Sequence, residues 1–257
     1  MSKLPSFDVI GSIAIIEDVE QERQTAEQIM KINKRIKTVY KKTSPRFGEY
    51  RTRKLKLILG ENRSVTVHKE NQCYYKLNVK KVYFSPREGT ERLRIVEKIN
   101  EYGIGDLAMV FFAGVGCYPI LISKRCNIKN VVGIESNPVA VKYFRENNKL
   151  NKVKNAKPVL GDVKKQASKY YGKCGCVIMP LPETGHKFLK QAIRCLRKNG
   201  VCFFYAISEE RNLFDGWIEK IKDISEKLKR KAEILDKRRV LPFGVRKWKI
   251  RVDFRVF

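Results

Sequence analysis

The chain has 257 residues, 43% of them hydrophobic, and its 55 Lys and Arg outnumber its 27 Asp and Glu to give a formal net charge of +28. This apolar share suffices for a buried core and argues against a disordered chain, and the lack of a run of about 18 uncharged apolar residues excludes a membrane-spanning helix. The surplus of positive charge predicts a polyanionic partner, of which nucleic acid is the commonest. The alternative, a surface rich in ion pairs, would raise both signs of charge together.

The start of the chain and its cysteines bear on its location and on metal binding. Residues 1–8 lack the apolar core and the cleavage site of a secretory signal, so we expect a cytoplasmic protein. The seven cysteines form no Cys-x-x-Cys pair and there are only two histidines, so we expect no metal site. An odd number of cysteines also argues against a disulfide framework, and we expect most of them to be small core residues.

Residues 1–80 are predicted to form a small α+β domain. Apolar residues alternate with polar ones in three stretches and recur at helical spacing in one. In chain order these are a strand, a helix and two further strands, over residues 7–17, 20–36, 54–60 and 64–70.

Residues 81–257 are predicted to form a Rossmann-like α/β domain, because apolar runs alternate with helical stretches, a pattern typical of a parallel, doubly wound sheet. The predicted strands are 107–112, 131–135, 156–160, 175–179 and 201–207. The predicted helices are 117–126, 138–150, 185–198 and 212–230. The last stretches, 234–241 and 246–257, have no helix between them and are predicted to close the sheet as an antiparallel pair.

A glycine turn and two acids predict a nucleotide-like ligand in this domain. Gly114 and Gly116 follow the first predicted strand and allow the backbone to turn and to approach a ligand closely. Glu135 ends the next strand, where a carboxylate accepts the hydroxyls of a ribose, and Asp162 ends the third, where it faces adenine. Pro119 replaces the third glycine of the dinucleotide fingerprint, which disfavours a nicotinamide cofactor and favours S-adenosylmethionine. The alternative is an unrelated α/β protein with the same turn and acids.

Five ordered motifs resemble the archaeal tRNA methyltransferases that modify the purine at position 37, beside the anticodon. They are "VYFSPREGTERLRI" (82–95), "FAGVG" (112–116), "IESNPVAVKYFRENNKLNKV" (134–153), "LGDV" (160–163) and "IMPLPETGHKFL" (178–189). The resemblance implies a class I methyltransferase fold, S-adenosylmethionine as methyl donor and tRNA as substrate. Residues 48–61 resemble the family's middle domain, and we expect no counterpart of its N-terminal elbow-binding domain. A monomer that reads the anticodon arm is therefore expected.

The resemblance also implies roles for single residues. Arg51, with Arg53 as a near alternative, is expected to contact the target base, and Glu91 is expected to act as the general base. Such a base is needed because N1 of guanine keeps its proton at neutral pH, and an arginine beside the exocyclic oxygen stabilises the resulting negative charge. Without the resemblance, Glu91 would be interpreted as an ordinary acid at the start of a helix, and Arg51 as a solvated charge on the surface. The implied cofactor-binding residues are Tyr83, Arg92, Phe112, Ala113, Gly114, Gly116, Glu135, Asn137 and Asp162.

Two departures from the family pattern bear on the target atom. Val110 replaces the acid that ends the family's first strand, so one cofactor contact is lost. Pro180, which we place with the catalytic residues, replaces the asparagine of relatives that make only 1-methylguanosine, and it has neither a side-chain donor nor a backbone N–H. Together with Glu135, Pro180 resembles the wyosine branch of the family.

Membership of that branch implies methylation of C7 of 4-demethylwyosine in tRNA-Phe, giving isowyosine, and in some members also of N1 of guanosine. Three alternatives remain open. They are methylation of N1 alone, transfer of the aminocarboxypropyl group of the same cofactor to 4-demethylwyosine, and a non-catalytic RNA-binding module.

Overall fold

A computed structural model describes residues 4–257, which form two compact units that alternate along the chain. Unit 1 contains the described residues up to Thr90, together with Gly114–Gly116 and Asn137–Lys152. Unit 2 contains Glu91–Ala113, Cys117–Ser136 and Val153–Phe257. The units are thus interleaved, whereas the sequence analysis divides the chain at one point.

Thirteen strands and seven α-helices make up the described residues. The strands are β1 (Phe7–Ile10), β2 (Ile13–Ile16), β3 (Thr38–Lys42), β4 (Leu55–Gly60), β5 (Val65–Glu70), β6 (Cys73–Asn78), β7 (Leu107–Phe111), β8 (Asn130–Glu135), β9 (Ala156–Leu160), β10 (Cys174–Met179), β11 (Leu196–Glu209), β12 (Ala232–Gly244) and β13 (Lys247–Val256). The helices are α1 (Glu22–Ile32), α2 (Gly89–Glu101), α3 (Cys117–Arg125), α4 (Pro138–Leu150), α5 (Val163–Gln166), α6 (Leu189–Cys195) and α7 (Asp215–Lys227). Short 3₁₀ turns lie at Pro86–Glu88, Ala167–Tyr170 and Gly185–Phe188.

Unit 1 holds a four-stranded sheet in the order β1-β2-β3-β4 and a separate hairpin of β5 and β6. The predicted strand over residues 7–17 is in fact two strands, because the chain turns at Gly11, whose φ is +57°. The N–H of Gly11 donates to Nδ1 of His68 and that of Ser12 to Oγ1 of Thr66, which ties the turn to β5. The prediction of an α+β unit is confirmed, although β3 and β6 were not predicted.

The predicted helix over residues 20–36 is shorter in the structure. α1 ends at Ile32 because Asn33 takes an extended conformation, with φ −122°. The N–H of Arg35 donates to the Asn33 side chain, a local bond that competes with helix continuation. The buried core of this unit is formed by Ala14, Ile16, Ala26, Ile29, Ile36 and Val39.

Unit 2 is built on a seven-stranded sheet in the order β12-β13-β11-β10-β7-β8-β9. β7 to β11 are mutually parallel, and β13 is antiparallel to both β11 and β12. The predicted parallel α/β fold and its closing antiparallel pair are confirmed. β10 is buried along its whole length, as expected for an internal parallel strand with both faces covered.

One helix prediction in this unit overran its end. Residues 185–198 were predicted as one helix, but the structure has a 3₁₀ turn, then α6, and then β11 from Leu196. Leu196 pairs with Cys174 of β10, so tertiary pairing ends the helix where the apolar pattern continues. All seven cysteines are buried and unbridged, which confirms their prediction as core residues.

The ends of the parallel strands define the part of unit 2 that matters for function. Because β7 to β11 run the same way, their carboxyl ends lie at one edge of the sheet, which we call the carboxyl edge. β12 runs parallel to β11, since both are antiparallel to the β13 strand between them, so β12 also ends at this edge. Within residues 4–257, no helix is long and apolar enough to cross a membrane.

Candidate functional site

The turn after β7 lies where the strand order reverses direction. From β7 the chain continues through β8 and β9 on one side and then crosses to β10 on the other. Ligands of open α/β sheets bind at such a switch point, beyond the carboxyl ends of the strands. Phe112 follows β7 with φ +56°, a conformation that is uncommon for a residue other than glycine. Its ring packs edge-on against Phe188, with centroids 5.0 Å apart, and the next N–H, of Ala113, donates to the Ile134 carbonyl of β8 at 3.0 Å.

The two glycines of the turn have different structural roles within unit 1. A Cβ at Gly114, where φ is +56°, would have only the Tyr83 carbonyl oxygen within 4.0 Å, so the space beside this residue is open. A Cβ at Gly116, where φ is +93°, would lie 2.3 Å from the Phe144 ring of α4. Gly114 thus has room for a ligand, whereas Gly116 is required by helix packing.

One predicted acid ends β8 at the carboxyl edge, and the other lies in the loop directly after β9. Glu135 is the half-buried last residue of β8 and lies opposite Leu160, the last residue of β9. The Glu135 carbonyl accepts the N–H of Gly161 at 2.9 Å, which fixes the start of the loop that carries Asp162. Asp162 is exposed, and its Oδ1 caps α5 by accepting the N–H of Lys164 at 2.7 Å. The strand-end positions are those that the sequence predicted for acids facing a ribose and an adenine.

Asn137 has a clear structural role in unit 1. It is 3% exposed, and its Oδ1 caps α4 by accepting the N–H of Val139 at 2.9 Å. Its Nδ2 donates to the Lys81 carbonyl at 2.9 Å. These bonds explain why an asparagine begins this helix, and its role in cofactor binding stays a prediction.

Arg51 and Tyr83 belong to a group that we call the arginine cluster, formed by Arg46, Arg51, Arg53 and Tyr83. Nη1 of Arg46 donates to the Arg51 carbonyl at 3.2 Å, and Nη2 donates to the Phe84 carbonyl at 3.3 Å. The Arg46 guanidinium lies 4.0 Å from the centre of the Tyr83 ring, and that of Arg51 lies 5.5 Å from it. Arg51 has φ +51°, a strained backbone conformation. Arg46 stabilises this turn because it donates to the carbonyl oxygen of Arg51.

The arginine cluster contains three guanidinium groups, and two of them affect the pKa of the third. Burial lowers the pKa of Arg46 to about 10, and although Tyr83 raises it, nearby Arg53 and Arg51 lower it further. The nearby carboxylate of Asp8 is bonded to other cations, Lys42 at 3.2 Å and Arg87 at 2.8 Å. Burial raises the pKa of Asp8, but those cations outweigh it and keep the pKa below its usual range.

Glu91 lies in a second group within unit 2, the Arg251 cluster, formed by Glu91, Tyr205, Asp236, Arg251 and Asp253. Arg251 is 1% exposed and binds three carboxylates: Nη1 to Glu91 at 2.7 Å, Nε to Asp253 at 2.7 Å and Nη2 to Asp236 at 3.1 Å. The Tyr205 hydroxyl donates to the same Glu91 oxygen, Oε1, at 2.8 Å. Glu91 itself is 2% exposed at the start of α2.

Burial and neighbouring charges shift the pKa values of Asp253 and Arg251 in opposite directions. Burial raises the pKa of Asp253 to about 7, although Arg251 lowers it, and its Oδ2 is buried without a hydrogen-bond partner. Burial lowers the pKa of Arg251, but Tyr205, Asp253 and Glu91 outweigh it and bring that pKa above its usual range. Arg251 therefore stays charged and holds the three carboxylates together.

The second oxygen of Glu91, Oε2, accepts a longer bond of 3.2 Å from Arg94, whose side chain is 33% exposed. Oε1 is thus held by two buried donors, while Oε2 faces one half-exposed donor one turn along α2. Oε2 is therefore the oxygen of Glu91 that buried donors do not hold.

The remaining predicted residues lie in unit 2 as follows. Arg92 is 4% exposed, with its guanidinium 6.0 Å from the centre of the Tyr118 ring. The Tyr118 hydroxyl lies 3.5 Å from that of Tyr205, which connects Arg92 to the Arg251 cluster. Pro180 directly follows β10 at the carboxyl edge and is half-buried. Val110, in place of the family's acid, is fully buried in β7.

The structure brings the predicted residues together in two sets. In unit 1, Arg51 lies with Tyr83, and the Tyr83 carbonyl lies nearest to Gly114. In unit 2, the turn after β7 is bonded to β8, and Glu135 to the Asp162 loop.

Sequence reasoning missed Arg46, Tyr205, Arg251 and Asp253. For two of them a signal was present: charges recur at alternate positions, 249, 251 and 253, in a strand predicted to join the sheet. Charged residues on one face of an internal strand indicate a buried ion network. In residues 4–257, no group of three or more His, Cys, Asp or Glu is arranged to hold a metal ion.

Comparison with known proteins matches nearly the whole chain. A family model described as the TRM5/TYW2 methyltransferase domain matches residues 66–235, and one described as the TYW2 N-terminal domain matches residues 2–63. The chain is 41% identical over 255 residues to the tRNA (guanine(37)-N(1))-methyltransferase Trm5b of Pyrococcus abyssi, covering 98% of this chain and 74% of that protein.

Two further relatives have other names. The chain is 33% identical to the tRNA (guanine(37)-N(1))/4-demethylwyosine(37)-methyltransferase Taw22 of Nanoarchaeum equitans, covering 96% and 98% of the two chains. It is 30% identical to the tRNA(Phe) (4-demethylwyosine(37)-C(7)) aminocarboxypropyltransferase of Methanocaldococcus jannaschii, covering 96% of each.

Solved structures agree with these matches. A complex of aTrm5 with tRNALeu superposes with a TM-score of 0.83 at 34% identity, covering 97% of this chain and 71% of that one. M. jannaschii TYW2 in complex with AdoMet superposes with a TM-score of 0.75 at 25% identity, covering 98% and 99%. On the family match, the sheet order and the strand-end acids, the chain belongs to the TRM5/TYW2 methyltransferase family of S-adenosylmethionine-dependent enzymes.

Proposed function

We propose that the protein transfers the methyl group of S-adenosylmethionine to the purine at position 37 of tRNA. The primary target in this proposal is C7 of 4-demethylwyosine in tRNA-Phe, giving isowyosine, and N1 of guanosine is a second target. The acid Glu135 at the carboxyl end of β8, beside the switch point of the sheet in unit 2, is the observation that carries the cofactor part. The relatives named for methylation at position 37 support the tRNA part.

The residues at the carboxyl edge fit the cofactor. Glu135 is positioned to accept hydrogen bonds from the ribose hydroxyls. Oδ2 of Asp162, the oxygen that does not cap α5, is positioned to accept one from the adenine amino group. Gly114 admits the methionine portion because its backbone lacks a Cβ that would fill the open space. When bound, S-adenosylmethionine supplies an activated methyl group on a good leaving group, so the protein needs mainly to align the acceptor atom with it.

Arg51 and Glu91 act on the acceptor base in this proposal. For N1 of guanosine, Glu91 takes the ring proton at Oε2, since Oε1 is held by Arg251 and Tyr205. Arg51 stabilises the negative charge that this leaves on the exocyclic oxygen. For C7 of the tricycle, the ring carbon is itself the nucleophile, and Glu91 takes the proton after transfer.

The choice between the two targets rests on Pro180 and on the relatives. Pro180 leaves no side-chain hydrogen bond to the base where relatives that make only 1-methylguanosine carry asparagine. Taw22, whose name covers both targets, aligns over 98% of its length and supports a dual activity. The higher identity to Trm5b, 41%, supports methylation of N1 alone, which is the main alternative.

Mass analysis of position 37 tests the proposal directly. The protein is incubated with S-adenosylmethionine and with tRNA that carries either guanosine or 4-demethylwyosine at that position. A gain of one methyl group on the tricycle supports the primary target, and a gain on guanosine alone supports the alternative. No modification of either tRNA would overturn the proposed function.

Aminocarboxypropyl transfer is the second candidate, because one relative that aligns over 96% of both chains bears that name. Cofactor labelled separately in its methyl and aminocarboxypropyl groups distinguishes the two reactions, since only the transferred group labels the tRNA. A non-catalytic RNA-binding module would transfer neither label and would bind tRNA equally well with and without cofactor.

A further inference from the structure

The β12–β13 hairpin ends at the same edge of the sheet as the proposed site. β12 runs parallel to β11, and the last pairs, Gly244 with Lys247 and Glu209 with Lys247, bring the hairpin end to the carboxyl end of β11. We call residues 242–247 the hairpin tip. The tip lies four strand spacings of about 4.8 Å from β7, and it extends five residues of about 3.4 Å beyond the level at which β7 ends, so it is roughly 26 Å from the end of β7.

The tip exposes apolar side chains that the core of unit 2 does not use. Val245 is 91% exposed and Phe243 is 46% exposed. By contrast Ile250, further along β13, is fully buried. An aromatic side chain exposed at a turn is a stacking surface, and every nucleic acid base presents a matching face to it.

Cations surround these apolar side chains. From residue 237 to residue 252 the chain has seven Lys or Arg and no Asp or Glu. Arg246 and Lys247 are exposed at the tip, and the guanidinium of the exposed Arg239 lies flat over the Trp248 ring at 4.2 Å. Lys249 and Arg251 point into the protein and contribute no surface charge.

Acidic neighbours of the tip come from the end of β11. Glu209 pairs with Lys247 across the sheet, and the N–H of Glu210 donates to the Arg246 carbonyl at 3.0 Å. Both glutamates are exposed, so they screen part of the charge. Arg246 and Lys247 of the tip equal the two glutamates in number, and Arg238 and Arg239 of the adjoining β12 give this end of the hairpin its excess of positive charge.

We propose that the hairpin tip is a contact surface for the unpaired loop of the substrate RNA, with Phe243 stacking on a base and Arg239, Arg246 and Lys247 binding phosphates. Basic side chains interleaved with an exposed aromatic favour single-stranded RNA, because its phosphates and unpaired bases can bind both kinds of side chain at once. This inference rests on the proposed function, because the RNA bound is the one modified at the carboxyl edge. The roughly 26 Å offset means that the stacked base lies several nucleotides from the target, given about 3.4 Å per stacked nucleotide.

Substitutions at the tip test the contact. The double variant Phe243→Ala, Val245→Ala should weaken tRNA binding about tenfold in fluorescence anisotropy, because losing a stacked base costs that much or more. Phe243→Trp keeps a stacking ring and should stay within about twofold of the wild type. Arg246→Ala should reduce the slope of log affinity against log salt by about one phosphate contact. Cofactor affinity, measured by calorimetry, should not change in any of them.

A matched control separates stacking from a general loss of apolar surface. Leu150 is also 46% exposed and has lysines at positions 149 and 152, but it lies at the end of α4. Leu150→Ala should bind tRNA like the wild type. Unchanged affinity of the tip variants, or an equal loss in Leu150→Ala, would overturn the inference while wild-type methylation still supports the proposed function. A wild-type protein that neither binds nor modifies tRNA would instead remove the proposed function.

Discussion

The arginine cluster of unit 1 and the Arg251 cluster of unit 2 differ in the groups that bind their central guanidinium. Arg251 is surrounded by carboxylates of Glu91, Asp236 and Asp253 and is 1% exposed. Arg46 donates to two neutral backbone carbonyls and lies beside two further arginines. One cluster is compensated by its own acids, and the other carries a surplus of positive charge.

This difference separates a buried network that contains its own acids from a cluster in which arginines lie side by side. A compensated buried network is stable in the free protein, and removing one member leaves charges unpaired. Arginines that lie side by side repel one another, and a bound anion would relieve that repulsion. The following variants test this distinction, in order of decreasing effect.

Glu91→Gln should have the largest effect, and it acts on rate. Glutamine keeps the shape of Glu91 and still accepts from Arg251 and Tyr205, but it cannot take a proton. We expect kcat on guanosine-containing tRNA to fall by roughly 10²–10⁴, with tRNA affinity little changed. The loss should be smaller on 4-demethylwyosine if methyl transfer limits the rate there.

Glu97→Gln, an exposed position on the same helix, is the matched control and should turn over like the wild type. Near-wild-type turnover of Glu91→Gln on both substrates would show that the carboxylate is only structural.

Arg251→Met should have the next largest effect, and it acts on stability. Removing Arg251 leaves the buried carboxyl groups of Glu91 and Asp253 without their main buried cation, which costs about 3–5 kcal/mol of unfolding free energy. Urea denaturation followed by circular dichroism measures it. Arg239→Met, an exposed arginine of β12, should change stability by less than about 0.5 kcal/mol. Equal small losses in both variants would mean that the Arg251 cluster does not need its central charge.

Arg46→Gln should have an intermediate effect on activity. Glutamine cannot bridge the Arg51 and Phe84 carbonyls while stacking on Tyr83, so the turn that holds Arg51 at φ +51° loses its brace. We expect kcat/KM to fall about tenfold, which corresponds to about 1.4 kcal/mol of transition-state stabilisation. Arg35→Gln removes the same charge from an exposed position of unit 1 and isolates the effect of the cluster from that of net charge. A fall of the same size in both variants would contradict the bracing role.

Asp253→Asn should have the smallest effect, visible as a change in pH dependence. The folded pKa of Asp253, about 7, lies above its ordinary value of 3.8, so the folded protein keeps a proton that the unfolded chain has lost. This contribution to stability is present in full below about pH 3.8 and is lost as the pH rises to about 7.

Asp253→Asn should therefore flatten the decline in unfolding free energy between pH 5 and pH 7, by up to about 1.4 kcal/mol per pH unit. Asp223→Asn, at an exposed position of α7, should leave the wild-type slope unchanged. If Asp253→Asn leaves the dependence of the unfolding free energy on pH unchanged, a group other than Asp253 must titrate in this range.

Much of the sheet in unit 2 was predictable because its strands are short apolar runs between helical segments. β9 was predicted to its exact bounds, β8 and β10 to within one residue at their starts, and α4 over its whole length. β3 was missed because it is a short strand that ends in two lysines and pairs in parallel with β2, from across α1. Pairing between distant segments leaves no local pattern.

The candidate site was likewise predictable in part and not as a whole. Gly114 and Glu135 were predictable, since a turn that approaches a ligand needs glycine and a ribose needs an acid at a strand end. Gly116 fits the same pattern, but the structure shows that the ring of Phe144 requires it. Arg46 had no local signal, because its partners are carbonyl oxygens, which every residue possesses.

The sequence by itself determined the class of fold, the turn after β7, the acids at and after the ends of β8 and β9, and the excess of positive charge. These features follow from residue type and spacing along the chain, which bear directly on backbone conformation and net charge. Tertiary structure alone decided that Glu91 shares Arg251 with two other acids, and that Arg46 holds the Arg51 turn. It did so because Glu91 and Arg251 are 160 residues apart, and burial and charge compensation depend on distance in space and not along the chain.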